Sequence, residues 1–462
     1  MRILMAKIIF PNPAELRGPG FWLQPKNWLA ARRKYTRLDY SGEWRKTFGE
    51  PNPADRSVPF TNLLQEGKNV SEGFRFIVVG DTGEGDNSQY SLIPLFRTLQ
   101  PDFMIINGDI AYPAARMDSM DRDTNDFIAG FFEPYRNLQC TIWSTPGDHE
   151  YFSPHKGKEY YHLFCTHRFD RLWERYGLRH VPQPGTFWEL RDNSGASNLV
   201  VLGLDTGMKA NMDDSNDWWQ IWKRHIEPDH EQHDWLDGRL KEATKANASV
   251  IVLFHIPALL EENHKEKYLT TLHKIIAQYK CIRLVVCGHE HNFQYYSPDT
   301  FQRYLTTEHL RNNGTAVSAP HYAIAGGGGA YLESTDYKTG SYQSIRYPDA
   351  KLWSDISSRG RKIIAALNMQ KTLMHDITES FVRSAVEDGD LSMYLSFLMI
   401  DVKTNPLTKK METKVTPVFL DDLNTLFAHL SDETTVDVTM ANPPIDPTAL
   451  QDCIKTNLAF QL

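Results

Sequence analysis

Between residues 73 and 330 one pattern recurs: a short apolar, often β-branched run, then a breaker, then frequently an acidic or imidazole side chain. FRFIVV (74–79) stops at Gly80, DFMIIN (102–107) at Gly108, and CTIWST (140–145) at Pro146-Gly147. SVIVLF (249–254) stops at His255, IRLVVC (282–287) at Gly288, and HYAIA (321–325) at four glycines, 326–329. Each run reads as a buried strand closed by a breaker. Helix-compatible stretches at 89–99, 124–137, 231–246 and 267–279 lie between them. That alternation predicts an α/β sheet with helices on its faces. Residues 186–206 read as a hairpin around Asp-Asn-Ser-Gly. Ile363, Ile364, Leu367, Leu373, Ile377 and Phe381 recur at helical spacing and predict a helical insertion ahead of a further strand run, 394–402.

Polar residues collect just past these strand ends: Asp81, Asp109, Asp148, His149, His255, His289 and His291. Open α/β sheets bind ligands at the carboxyl ends of their strands. One such residue alone would cap a loop; the whole set predicts a site. Imidazole and carboxylate donors without thiolates suit Mn, Fe, Zn or similar ions. The donors are too many for one tetrahedral zinc, and a pair of ions roughly 3.5–4 Å apart, sharing a carboxylate, uses them better.

The 462 residues carry 50 Lys+Arg against 58 Asp+Glu, a formal charge of −8, which argues against a nucleic-acid binder. The charge is uneven: residues 1–50 hold ten Lys/Arg and four Asp/Glu, along with Trp22, Trp28, Trp44, Tyr35 and Tyr40. A basic, aromatic arm is expected to dock on the acidic body of its own chain. No apolar run approaches the roughly 20 residues of a membrane span. The apolar start MRILMAKIIF runs into Pro-Asn-Pro with no small-residue cleavage site, so a cytoplasmic location is expected. Cys140, Cys165, Cys281, Cys287 and Cys453 form no C-x-x-C pair and are expected to be buried free thiols.

The strand-end segments also form ordered blocks: GDTG (80–83), GDIAY (108–112), GDHE (147–150), VLFH (252–255) and GHEH (288–291). They resemble the calcineurin-like metallophosphoesterase superfamily and, more narrowly, the purple acid phosphatases, whose blocks run D-x-G, G-D-x-x-Y, G-N-H-[DE], V-x-x-H and G-H-x-H. The narrower likeness rests on Gly83, where most of the superfamily has a His, and on Tyr112. The resemblance implies a four-layer α/β/β/α sandwich. Its expected parts are an N-terminal extension (1–72), a catalytic core (73–330), a helical insertion (331–391), and closing strands with a tail (392–462).

It also implies two metal ions. Asp81, Tyr112 and His291 would hold the first, often Fe(III). Asp109 would bridge. Asp148, His255 and His289 would complete the second, Zn, Mn or Fe(II). His149 would bind no metal but protonate the leaving oxygen while a metal-bound hydroxide attacks a small-molecule phosphate monoester in line, with no phospho-enzyme. A phosphodiesterase of the same superfamily, nucleotide or phospholipid directed, is the alternative, and a non-catalytic metal-binding protein a further one. The sequence leaves the oligomeric state open. Asp148 departs from the family's neutral Asn, and the extra carboxylate should raise the pKa of activated water and with it the pH optimum. His155, His162, His167 and His264 read as surface or core histidines, and the 326–330 glycine run as a turn that brings backbone close to the metals.

Overall fold

The computed structural model describes residues 56–83, 87–117, 125–207, 229–257, 274–299, 319–330, 395–405, 411–419 and 459–462, with shorter pieces elsewhere. The aromatic N-terminal arm, the helical insertion expected at 350–390, His264 and Cys453 lie outside them.

The predicted strands form and sort into two sheets. In the first, Phe74–Val79, Phe103–Asn107 and Thr141–Thr145 run parallel, side by side. Ser396–Thr404 pairs antiparallel with Phe74–Val79, Met411–Phe419 with Ser396–Thr404, and Phe460–Gln461 with Met411–Phe419. In the second, Leu199–Gly203, Ser249–Leu253, Ile282–Cys287 and His321–Ala325 are parallel. Trp188–Arg191 forms the predicted hairpin with Leu199–Gly203, and Ser57–Pro59 pairs with Trp188–Arg191. Phe293–Tyr296 and Ile345–Tyr347 complete the other edge.

Alternation along each strand explains the layering. Phe76 and Val78 point into a core shared with Ile251, Leu253, Leu284 and Val286 of the other sheet. Ile77 and Val79 point the opposite way, toward Leu92, Ile93 and Phe96 of the Asn87–Leu99 helix. Val250 and Val252 likewise turn outward against Trp235, Leu236 and Leu240 of the His230–Lys245 helix. A period of two on strands buried on both faces therefore produces three apolar layers: one between the sheets and one beneath the helices on each outer face. The result is an α/β/β/α sandwich. Aromatic pairs reinforce the central layer: Phe76 stacks on Phe103 at 4.8 Å and Trp143 meets Trp188 edge-on at 5.1 Å, each worth about 0.5–1.5 kcal/mol beyond its burial.

The two sheets meet at their carboxyl ends. The amide of Gly80 donates to the Ala325 carbonyl across the sandwich at 2.8 Å. The side-chain amide of Asn107 donates to Phe254 and Val286 carbonyls, both at 3.0 Å. The helix-compatible 124–137 stretch is helical over 126–135, with a π-helical segment, Ile128–Phe132, running into an α-helical turn, Glu133–Tyr135. This segment packs closely on the first motif loop: a Cβ on Gly130 would lie 2.4 Å from the Gly83 carbonyl. Cys140, Cys281 and Cys287 are buried free thiols and Cys165 is half-buried. Among the described residues, no helix is long and apolar enough to cross a membrane.

Candidate metal centre

The carboxyl ends of the parallel strands turn sharply as they leave the sheets. Asp81, Asp109 and His289 adopt φ values of 59°, 52° and 71°, the left-handed region that side-chain-bearing residues seldom occupy. Such strain persists only where the surroundings hold it. Here the Asp81 amide donates to Gly108, the Thr82 amide to Asp109, and the Ala330 amide to the Asp81 carbonyl at 2.8 Å. The glycine run brings backbone close to Asp81: a Cβ on Gly326 would lie 2.0 Å from the Glu290 carbonyl and 2.7 Å from Asp81 Oδ2.

These turns bring the predicted side chains together. Asp81, Asp109 and His291 form one group of potential ligands; Asp109, Asp148, His255 and His289 form another, the atoms of each lying within 4.8 Å of one another. Asp109 belongs to both. The Tyr112 hydroxyl, fully buried, donates to Asp109 Oδ2 at 2.9 Å and lies 2.9 Å from His291 Nε2. Asp148 Oδ1 stands 3.1 Å from both His255 Nε2 and His289 Nδ1. Gly83 explains how Tyr112 reaches this place. Its carbonyl accepts the Tyr112 amide at 2.9 Å, and a Cβ at residue 83 would fall 2.1 Å from the Ile110 carbonyl, so no side chain fits there.

His149 stands beside the groups and in neither. Its amide donates to Asp109 Oδ1 at 3.0 Å, its ring lies 4.2 Å from that of Tyr112, and its Nε2 is 4.0 Å from Asp109 Oδ2. Nδ1 is 2.7 Å from the Pro113 carbonyl, which only accepts, so Nδ1 keeps its proton. Nε2 is the atom left for other chemistry.

The electrostatics suit cations. Burial disfavours charge on His255, but Asp109 and Asp81 outweigh it and hold its imidazolium well above the ordinary range. Burial is likewise outweighed by Asp148 at His289, which is raised to about 9. Against its own burial, Asp148 is held well below the ordinary carboxylate range by His289 and His255. Imidazole protons balance the carboxylates here; a bound ion takes over that balance and releases protons. His255 is oriented for this, because its Nδ1 bonds the Asn107 carbonyl at 2.9 Å and its Nε2 faces the carboxylates. The donor set of carboxylates, imidazoles and one phenol therefore fits two metal ions sharing Asp109.

The calcineurin-like phosphoesterase family model matches residues 74–293, a span that includes every one of these side chains. Those residues are a calcineurin-like phosphoesterase domain. Across 247 residues the chain is 23% identical to mouse tartrate-resistant acid phosphatase type 5, covering 50% of this chain and 71% of that protein. The rat protein of the same name is 24% identical over 235 residues, 48% of this chain and 67% of its own. The solved structure titled "GAP50 the anchor in the inner membrane complex of Plasmodium" superposes with a TM-score of 0.39 at 10% identity, over 75% of this chain and 85% of that one. A likeness that loose carries no argument.

Two supports of the phosphoesterase site were not singled out from the sequence. Glu150 is buried and accepts from the amides of Gly147 (2.7 Å), Asp109 (2.9 Å), Ile110 (2.8 Å) and Ala111 (3.3 Å), tying two motif loops together. Burial and the charge of Asp109 push Glu150 up to about 8. Asn107 is the other: its amide spans the sheets while its Oδ1 accepts from Thr145 at 2.8 Å. The readable signal was a lone polar residue ending the otherwise apolar strand FMIIN.

Proposed function

We propose that this chain hydrolyses phosphate monoesters with a dinuclear metal centre of the purple acid phosphatase kind. The observation that carries the reading is the sharing of Asp109 between two ligand groups, with the Tyr112 hydroxyl beside one of them. Asp81, Tyr112 and His291 would hold one ion, Asp148, His255 and His289 the other, with Asp109 between them. Fe(III) suits the phenolate-bearing position, and Zn, Mn or Fe(II) the other. When bound, the pair supplies Lewis acidity to the phosphate and acidifies the attacking water.

The remaining chemistry belongs to the protein. His149, with Nδ1 tied to the Pro113 carbonyl, would present an Nε2 proton to the leaving oxygen. As water's oxygen bonds to phosphorus and the ester P–O bond breaks, that proton neutralises the departing alkoxide. Glu150 holds the Asp109 loop still by accepting from three of its amides, so the bridging carboxylate need not reorganise. The two acid phosphatases it resembles support a monoester substrate.

A paired assay of the metal-replete chain with an aryl phosphate monoester and the matching diester tests this. Monoester turnover should dominate, and His149→Ala should lower its kcat by about 10²–10⁴-fold, the usual worth of a general acid. A faster diester reaction, or monoester turnover indifferent to His149→Ala and His291→Ala, would defeat the reading.

A further inference from the structure

A third group of ligand-bearing side chains shares no residue with the dinuclear centre. His167, Asp170 and His180 offer ligand atoms that lie within 4.8 Å of one another. His167 opens the short 3-10 turn His167–Phe169, and Asp170 begins the helix Asp170–Arg175. His180 follows that helix in the chain. His167 Nδ1 is 2.9 Å from Asp170 Oδ2, and His180 Nδ1 is 2.6 Å from Asp170 Oδ1.

The cluster is built unevenly. The His180 side chain is 7% exposed and lies flat on Trp173, ring centroids 4.5 Å apart and 10° from parallel. Trp173 is itself fully buried, edge-on to Phe131, Phe132 and Phe164. His180 is thus held in one orientation, with Nδ1 toward the carboxylate. His167 is 77% exposed and faces water. A fixed imidazole, a carboxylate and an exposed outer imidazole make a three-donor site that leaves further positions to solvent.

We propose that His167, Asp170 and His180 bind a late first-row divalent ion such as Zn²⁺ at the protein surface. Two nitrogen donors favour zinc, cobalt, nickel or copper over calcium or magnesium, which take oxygen. The two imidazole nitrogens and the carboxylate that now hydrogen-bond to one another turn their lone pairs to the ion, and binding releases the protons between them. The ion ties the 167–170 turn to residue 180, so it stabilises the folded chain by mass action.

The test titrates Zn²⁺ into the full chain with its dinuclear centre loaded, measuring bound zinc by equilibrium dialysis and elemental analysis. Wild type should bind one equivalent more than either His167→Ala or Asp170→Asn. Each substitution should weaken that equivalent by at least the roughly 10–100-fold that loss of an outer-shell partner costs a metal site. Zinc should raise the melting temperature of wild type further than that of His167→Ala, a surface change that leaves packing untouched. Equal zinc content in wild type and both variants overturns the proposal, as does an extra equivalent that both variants retain. The surface equivalent should persist in His291→Ala, so failure of the dinuclear reading and failure of this one give different results.

Discussion

The carbonyl oxygen of Asn107 accepts from Nδ1 of His255 at 2.9 Å, across the seam between the two sheets. Its side chain spans the same seam, donating to Phe254 and Val286 at 3.0 Å each. One residue thereby ties the two sheets together and fixes the tautomer of an imidazole in the ligand cluster. Replacing Asn107 with Leu leaves two buried carbonyls without that donor, at about 1–3 kcal/mol each. Denaturant unfolding should show a loss of about 2–6 kcal/mol. A loss below about 1 kcal/mol would mean water or relaxation satisfies those carbonyls, and the clamp is unimportant.

Asp148 accepts both His255 and His289. Asp148→Asn keeps the shape and removes one negative charge. A unit charge about 4 Å away is worth about 4 kcal/mol at an effective dielectric of 20, much of it offset by rearrangement. The centre becomes more positive, so the water it activates ionises at lower pH. The acid limb of the pH–rate profile should move down by on the order of one unit. An unmoved profile would show that the carboxylate acts only as an oxygen ligand.

Tyr112→Phe separates packing from ligation. The ring sits in a fully buried slot against His149 and His291, and phenylalanine fills it. With Fe(III) bound, wild type should absorb visible light through tyrosinate-to-iron charge transfer. The variant should lose that band while melting within a few degrees of wild type. A colour that survives in Tyr112→Phe would place the iron elsewhere.

His321 gives a pH dependence of folding that is independent of the metals. It lies between Phe460, stacked at 4.2 Å, and Tyr295, whose hydroxyl is 2.7 Å from its Nδ1. Burial, then the positive charge of Arg283, push it down to about 4. An unfolded histidine titrates near 6.5, so between roughly pH 6.5 and 4 the unfolded chain binds more protons than the folded one. This contribution to stability is complete above that window and is lost as pH falls through it. His321→Phe keeps the stack and cannot charge. Its melting temperature should therefore fall less than that of wild type between pH 6.5 and 4; parallel curves would rule out His321 as the source.

How much was legible in advance differs from residue to residue. FRFIVV and SVIVLF announced buried strands because a strand covered on both faces needs apolar residues at every position. Asp81, Asp109 and His255 announced a site because each follows such a run, where the chain must leave the sheet. Glu150 stood in a quoted motif without a role, since its partners include the amides of a loop 40 residues earlier. His167 looked like an ordinary surface histidine until Asp170 and the Trp173-anchored His180 were placed around it.

Local order, then, was in the sequence: strand runs, breakers, and the residue types gathered past them follow from periodicity and side-chain chemistry alone. The tertiary structure decided what meets what. It set Ser396–Thr404 against Phe74–Val79, brought Phe460 onto His321, and made Asp109 common to two ligand groups. Those outcomes depend on distances between segments tens to hundreds of residues apart, set by packing of the whole sandwich, and no short window of sequence carries them.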